Sequence, residues 1–407
     1  MRPAQTIRRA WGVFRRQGAR AAIGKMLVRF FPSALDRPTL VAYDDVLAAD
    51  WRILHPWQAT PRELPQGPLT VAWVMSPPGA NSGGHQNIFR FMKFLEDAGH
   101  TARVYLTSTY DPTTVEESRA RVAGSSSYPS LAATIEAYPA DGIPDDVDVI
   151  VATGWETAYR SFADRSTARR FYFVQDFEPM FYPTGSEAVL AENSYRFGFI
   201  GITAGEWLAR KLRDDFGMTT SSFTFGAENS NYRVTNTQRR KAVFFYARPE
   251  TARRGFELGA MALDLFARER PDNPIILAGQ DVSRLRLPFA HENPGNVQVS
   301  ELNALYNRCA AGLVLSLTNM SLLPLELLAA GVIPVVNDAP NNRLVSDNEF
   351  IEYTEPSPRA LADRLIAIVD RVDQAEHASR AAASVGETTW ERSGAQFMEA
   401  FESGVRG

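Results

Sequence analysis

Cysteine is nearly absent from this chain: Cys309 is the only thiol among 407 residues. No disulfide can therefore form within it, which fits a reducing compartment and makes a cytoplasmic protein the expectation. Cys309 lies in the apolar stretch 305–315 and is expected to be buried and inert. Five scattered histidines beside one cysteine leave no cluster of zinc type, so no metal site is expected. No uninterrupted apolar run reaches the about 20 residues that span a bilayer, and no secretory leader is apparent. The glycine spacing of a dinucleotide fingerprint is also missing, which argues against NAD chemistry. Acid is missing locally: Met1 to Leu35 holds eight Lys and Arg and no Asp or Glu. The net charge of −4 thus divides into +8 there and −12 in the rest, and an acidic body argues against nucleic acid as a partner.

What remains has the composition of an ordinary globular enzyme, 45% hydrophobic and 22% charged, long enough for two or three domains. In the basic segment, Ile7, Trp11, Phe14, Ala22, Met26, Leu27, Phe30 and Phe31 form one apolar stripe flanked by arginines, broken at Gly18. The pattern fits an interfacial helix on anionic lipid, and also a helix packed on the body with solvated arginines. Residues 36–68 read as an irregular connector with an added strand at Leu40–Tyr43.

Apolar strands then alternate with helical stretches, which predicts α/β architecture with parallel sheets. Strand Leu69–Met75 leads into a glycine-rich loop, Gly83 and Gly84 being placed to let a ligand approach the backbone. His85 follows, before helix Gln86–Ala98. Residues 107–140 read as polar and irregular. Strand Asp148–Ala152 ends at Trp155 and Glu156, preceded by Asp146 and Asp148 as a solvated strand start. Strand Arg170–Val174 delivers Asp176, Phe177, Glu178, Phe181 and Tyr182 at its carboxyl end, where open α/β sheets bind ligands. There carboxylates suit general-base work or hydroxyl recognition, and the aromatics suit sugar stacking. Residues 228–240 lack periodicity and read as a linker.

The second half opens with strand Lys241–Tyr246, then a loop in which Arg248 and Arg254 could hold a diphosphate between them. Strand Pro274–Ala278 ends at Gly279. Strand Asn296–Val299 and helix Ser300–Arg308 precede the stretch on which the chain turns: an apolar strand into Ser316, a polar loop with Thr318, Asn319 and Ser321, then Pro324 opening a short helix that ends at Gly331. A helix start attracts phosphate, and Glu326 in the first turn can accept two hydroxyl protons from a nucleotide's sugar or merely complement the dipole.

These segments resemble a known family. Residues 316–336 resemble the donor-binding segment of the retaining family-four glycosyltransferases, and Phe245–Gly255 resembles their phosphate loop. Residues 172–183, 203–208 and 315–336 are similar to bacterial rhamnosyltransferases of rhamnan and surface-layer glycans; the likeness spans most of 70–400. It implies a GT-B fold: two Rossmann-like, doubly wound domains facing a central cleft, with an N-terminal helical extension. The domains expected are 1–68 (basic helix and connector), 69–235 (acceptor side), 236–385 (nucleotide-sugar side) and 386–407 (a helix packing back on the first domain). It implies a donor site of Gly83, Gly84, Arg248, Arg254, Gly279, Asn319, Met320, Ser321, Leu322, Leu323 and Glu326, with backbone N–H groups of 319–323 donating. Asp176 and His85 would serve catalysis, and Trp155, Glu156, Phe177, Glu178 and Tyr182 the acceptor. Arg254 stands where the family has lysine. The family's first glutamate would fall at Thr318, so a carboxylate nucleophile is missing there, and retention would proceed by front-face substitution.

The resemblance thus implies metal-independent transfer without a cofactor, from a nucleotide-sugar co-substrate taken as dTDP-rhamnose, to a lipid-linked or polymeric cell-surface glycan. Residues 1–35 would touch the inner face of the cytoplasmic membrane. Other readings are a UDP- or GDP-sugar transferase, a nucleotide-sugar epimerase, and a non-catalytic glycan- or membrane-binding subunit.

Overall fold

The computed structural model describes residues 40–79, 82–228, 230–320 and 322–406. The basic helix of 1–35 and the site residue Ser321 lie outside them. Two all-parallel sheets form the body. The first contains β1 (Thr70–Met75), β2 (Thr101–Leu106), β3 (Thr134–Ala137), β4 (Val149–Ala152), β5 (Arg169–Val174), β6 (Ile200–Ala204) and β7 (Thr220–Phe223), in the order 3-2-1-4-5-6-7. The second contains β8 (Ala242–Tyr246), β9 (Ile275–Ala278), β10 (Glu292–Gly295), β11 (Cys309–Val314), β12 (Ile333–Asn337) and β13 (Glu352–Thr354), in the order 10-9-8-11-12-13. Central strands such as β4 and β11 are buried along their whole length, because helices cover both faces of a parallel sheet. This is the α/β pair of Rossmann-like domains expected from the alternation, with Cys309 buried in β11.

Helix Trp390–Arg406 leaves the second sheet's side of the molecule and packs on the first. Phe397 lies among Trp73, Phe91 and Phe173. Gly394 and Gly404 sit so close to Phe94 and Phe171 that an added Cβ would come within 2.6 Å of either ring. The return path runs beside the outgoing one, since Ala227 N–H donates to the Thr388 carbonyl at 2.7 Å. Two antiparallel crossings therefore tie the domains at one edge.

Several local expectations fail. Tyr43 begins a helix, Tyr43–Ala48, rather than ending a strand; Asp45 in it pairs with Arg160 at 3.0 Å. The stretch 107–140 is ordered into helix Val115–Gly124 and edge strand β3. That helix has Thr114 and Glu117 as a capping box but almost no apolar face, so periodicity could not reveal it. Trp155 opens a helix, Trp155–Ala163. The edge strand is β10, whose Glu-Asn-Pro-Gly sequence carries no strand signal, and Val299 instead starts helix Val299–Tyr306. Asp148 is buried, accepting the Thr70 N–H at 2.9 Å and pairing with Arg62, whereas Asp146 is exposed on Arg103.

Candidate functional site

The carboxyl ends of both sheets face one cleft of about 750 Å³. From the first domain come the loop after β1, helix Gly83–Asp97 and the loop after β5; from the second come the loops after β8, β9 and β11 and the start of helix Leu323–Ala329. Gly83, Gly84, Asp176, Glu178, Arg248, Arg254, Gly279, Asn319, Met320, Leu322, Leu323 and Glu326 all line it. His85, Trp155, Glu156, Phe177 and Tyr182 do not.

The cationic wall is built by short-range constraints. Gly279 has φ +122°, and a Cβ there would meet the Tyr246 ring at 2.7 Å, so only glycine fits. Its carbonyl then accepts Arg248 Nη1 at 3.1 Å, which makes Gly279 a prop for Arg248. Arg254 Nη1 donates to Ser316 Oγ at 3.2 Å, and burial pulls its pKa down, opposed by Asp176. Each guanidinium has five N–H donors and spends one here, so most of both forks stays available to an anion. Arg253, which sequence reasoning passed over, joins them: it lies 4.0 Å over the Phe181 ring, and its Nε is 3.6 Å from Asp176 Oδ2. The adjacent Arg253-Arg254 pair before Gly255 was the available signal.

Glu326 lines the same cleft from the first turn of its helix. Burial pushes its carboxyl up to about 7, Glu228 adds to the shift, and Arg90 opposes it. Arg90 in turn bonds Glu228 at 2.5 Å and stacks 3.7 Å over Trp390 of the C-terminal helix. Burial thus favours its neutral form more than in a free carboxyl, and when ionised it can accept hydroxyl protons.

Asp176 departs from its expected role. Oδ1 accepts the Asn319 and Phe177 N–H groups, each at 2.8 Å; Oδ2 accepts Thr318 Oγ1 at 2.9 Å and faces Arg253. Burial raises its pKa, held back by Arg254 and Arg253. With three hydrogen bonds, two of them from the second domain, and Arg253 facing it, the carboxylate bridges the two domains. The same contact occupies the Asn319 N–H, and Met320 N–H goes to the Asn341 carbonyl at 3.4 Å, so neither is free for the role the resemblance implied. His85 is likewise engaged: its ring nitrogens contact Ser82 Oγ at 2.8 Å and the Ser76 carbonyl at 3.2 Å, so it ties Ser82 to Ser76 and does not itself line the cleft.

The acceptor-side group is partly core. Phe177 is buried against Tyr195 and Trp207, and Trp155 is buried with its indole N–H on Tyr182 Oη at 2.9 Å. Of Trp155, Glu156 and residues 177–182, only Glu178 and Phe181 line the cleft. Glu178 Oε2 accepts the Trp155 N–H and the Tyr172 hydroxyl, each at 2.7 Å. Glu156 and Glu178 both crowd Gly154, and burial with mutual repulsion raises Glu178. Gly83 and Gly84 are not loop residues, as expected, but the first turn of a helix capped by Ser82. A Cβ on Gly83 would meet nothing within 4 Å, and one on Gly84 only Gln175 at 3.7 Å, so the protein's own packing does not demand glycine there.

Two residues absent from the sequence-based set also line the cleft: Asn87, one turn beyond Gly83 on the same helix face, and Gln175.

Residues 241–366 match the family described as WsaF, C-terminal domain. The O-antigen biosynthesis protein RfbC of Myxococcus xanthus is 32% identical over 335 residues, which is 79% of this chain; the chain spans only 26% of that protein's length. HepE of Anabaena, solved in complex with UDP-glucose, superposes with a TM-score of 0.61 at 15% identity, over 82% of this chain and 100% of HepE. Sucrose-phosphate synthase of Thermosynechococcus elongatus gives 0.59 at 12% identity, over 82% of this chain and 98% of the synthase. An O-GlcNAc transferase mutant of Thermobaculum terrenum gives 0.56 at 16%, over 95% of this chain and 77% of its own. The fold is therefore that of the GT-B glycosyltransferases.

Proposed function

We propose that this protein is a glycosyltransferase that takes a nucleoside diphosphate sugar into the cleft and moves the sugar to a hydroxyl of a growing cell-surface glycan. The observation that carries the reading is the pairing, within one cleft, of the under-used Arg248 and Arg254 forks with the Glu326 carboxylate. Guanidinium groups bind and neutralise a diphosphate, and a carboxylate accepts a nucleotide's sugar hydroxyls. The likeness to the O-antigen protein RfbC supports the glycan as product, and HepE, which binds UDP-glucose on the same fold, supports the donor class. The finer reading is dTDP-rhamnose as donor and a lipid-linked or polymeric acceptor, with 236–385 holding the nucleotide and 69–235 the acceptor. Residues 1–35 would meet anionic lipid; among the described residues, no helix is long and apolar enough to cross a membrane.

In the transfer, the bond from the sugar's anomeric carbon to the diphosphate oxygen breaks, and the acceptor oxygen bonds to that carbon. Arg248 and Arg254 take up the charge developing on the leaving diphosphate, the role a divalent cation would otherwise fill. Thr318 has no carboxylate, and Asp176 and His85 are committed elsewhere, so the acceptor proton passes to the departing phosphate oxygen with retention at the anomeric carbon. A second reading rests on Glu178, which reaches the cleft with a raised pKa: it would take the proton in an inverting transfer.

Calorimetric titration with dTDP, UDP and GDP, on wild type and Glu326→Ala, tests the donor site: one nucleotide should bind selectively and lose about tenfold in the variant. Failure of all three to bind would overturn the reading. Turnover of donor without acceptor would identify an epimerase, and tight binding without any transfer a non-catalytic subunit. The anomeric configuration of the product separates the two proton acceptors.

A further inference from the structure

We propose that Arg90 is a positioning residue for Glu326: from the first domain it supplies a charge that the second domain's nucleotide site needs. The proposal rests on the glycosyltransferase reading above, in which ionised Glu326 accepts the nucleotide's sugar hydroxyls.

Arg90 stands three residues beyond Asn87 on helix Gly83–Asp97, so the two share a helix face, yet only Asn87 lines the cleft. Both chain crossings between the domains fix Arg90 in place. On the outgoing one, its Nη2 donates to Glu228 Oε2 at 2.5 Å; on the returning one, its guanidinium carbon stands 3.7 Å over the Trp390 ring. The crossings press on each other, since a Cβ on Gly226 would come within 2.5 Å of the Trp390 nitrogen. Only 17% of the Arg90 side chain is exposed.

The outgoing crossing then leads to the nucleotide side. Tyr232 N–H donates to the Glu228 carbonyl at 3.0 Å, and the Tyr232 ring lies 5.5 Å from that of Tyr306, which lines the cleft as Glu326 does. Burial disfavours an ionised Glu326; the Arg90 cation offsets that, and the Glu228 anion adds to it. The influence is mutual, because Glu228 and Glu326 both hold Arg90 in its charged form against its own burial. Tyr232 and Tyr306 also interact with Glu326, but burial raises both hydroxyls far above neutral pH and leaves them uncharged. One cation is thus shared between a carboxylate at the domain crossing and a carboxylate in the nucleotide site. The site in the second domain is complete only with a residue of the first.

Calorimetry on the full chain with UDP, dTDP and GDP at pH 6, 7, 8 and 9 tests this. Each variant is compared with wild type at the same pH, so that the nucleotide's own titration cancels. Arg90→Met keeps an apolar contact on Trp390 and loses the charge. Its affinity should fall about three- to tenfold at pH 7 and return to within about twofold of wild type at pH 9. Arg90→Lys, which keeps the charge, should stay within about threefold throughout. Glu228→Gln removes the opposing anion and should raise affinity about two- to fivefold at pH 6; it decides the matter if Arg90→Met misfolds. A methionine loss that does not recover with pH, a lysine variant no better than methionine, or a Glu228→Gln profile matching wild type would overturn the proposal while the donor reading stands. If wild type binds none of the three nucleotides, the donor reading falls and takes this proposal with it.

Discussion

Replacing Asp176 separates a domain bridge from a general base. The carboxylate holds the Asn319 and Phe177 N–H groups on one oxygen and Thr318 with Arg253 on the other. In Asp176→Asn the amide oxygen can keep both N–H bonds, and the amide NH2 can donate to the rotatable Thr318 hydroxyl. What is lost is the charge beside Arg253 and Arg254, offset by relief of the cost of burying it, which outweighs those arginines in raising the carboxyl's pKa, so the net change should stay within about 1–2 kcal/mol. Asp176→Ala strands two buried N–H donors, at about 1–3 kcal/mol each, for about 2–6 kcal/mol from the lost hydrogen bonds. Because the bridge joins two domains, urea unfolding of the alanine variant should divide into two transitions where wild type and Asp176→Asn show one. Activity should follow stability: Asp176→Asn keeps more than about a tenth of wild-type transfer, and Asp176→Ala loses most of it. A general base behaves otherwise, losing about 10²–10⁴-fold in either variant. Asp176→Asn that unfolds like wild type yet is inactive by that margin would refute the bridge.

Two further outcomes follow from the cleft. Glu326, raised to about 7 in the folded protein from about 4.5, is protonated below that pH and ionised above it, so its ionisation costs stability as pH rises through about 7. Since the ionised form accepts the nucleotide's hydroxyls, affinity for the nucleotide should rise up to about tenfold between pH 6 and 8, and calorimetry on Glu326→Gln should find that slope flattened. Gly83→Ala places a methyl in open cleft space within a helix's first turn. Thermal unfolding should show it as stable as wild type or up to about 1 kcal/mol more stable, while the Michaelis constant for the donor rises; a destabilised variant would contradict the packing described.

Much of the site was legible because its chemistry is carried by residue type at strand ends. Apolar runs alternating with helical stretches announced two parallel sheets, and the carboxyl ends of those strands bore the arginines, Glu326 and the glycine pair. Those features are local: a strand's end, a positive-φ glycine and a helix start are written in neighbouring residues. What stayed hidden is the partner of each polar atom. Asp176 read as a free acid because Thr318 and Asn319, which consume its lone pairs, lie more than 140 residues away. His85 and Phe177 read as site residues although a loop and an aromatic core claim them. Asn87 and Gln175 passed unnoticed because one amide in a helix or loop carries no message until a second domain is brought against it, and Arg253 was signalled only by its place beside Arg254. Side-chain type and local spacing are properties of the chain, whereas hydrogen-bond satisfaction and burial belong to the pair of surfaces, and only the closed tertiary structure brings those surfaces together.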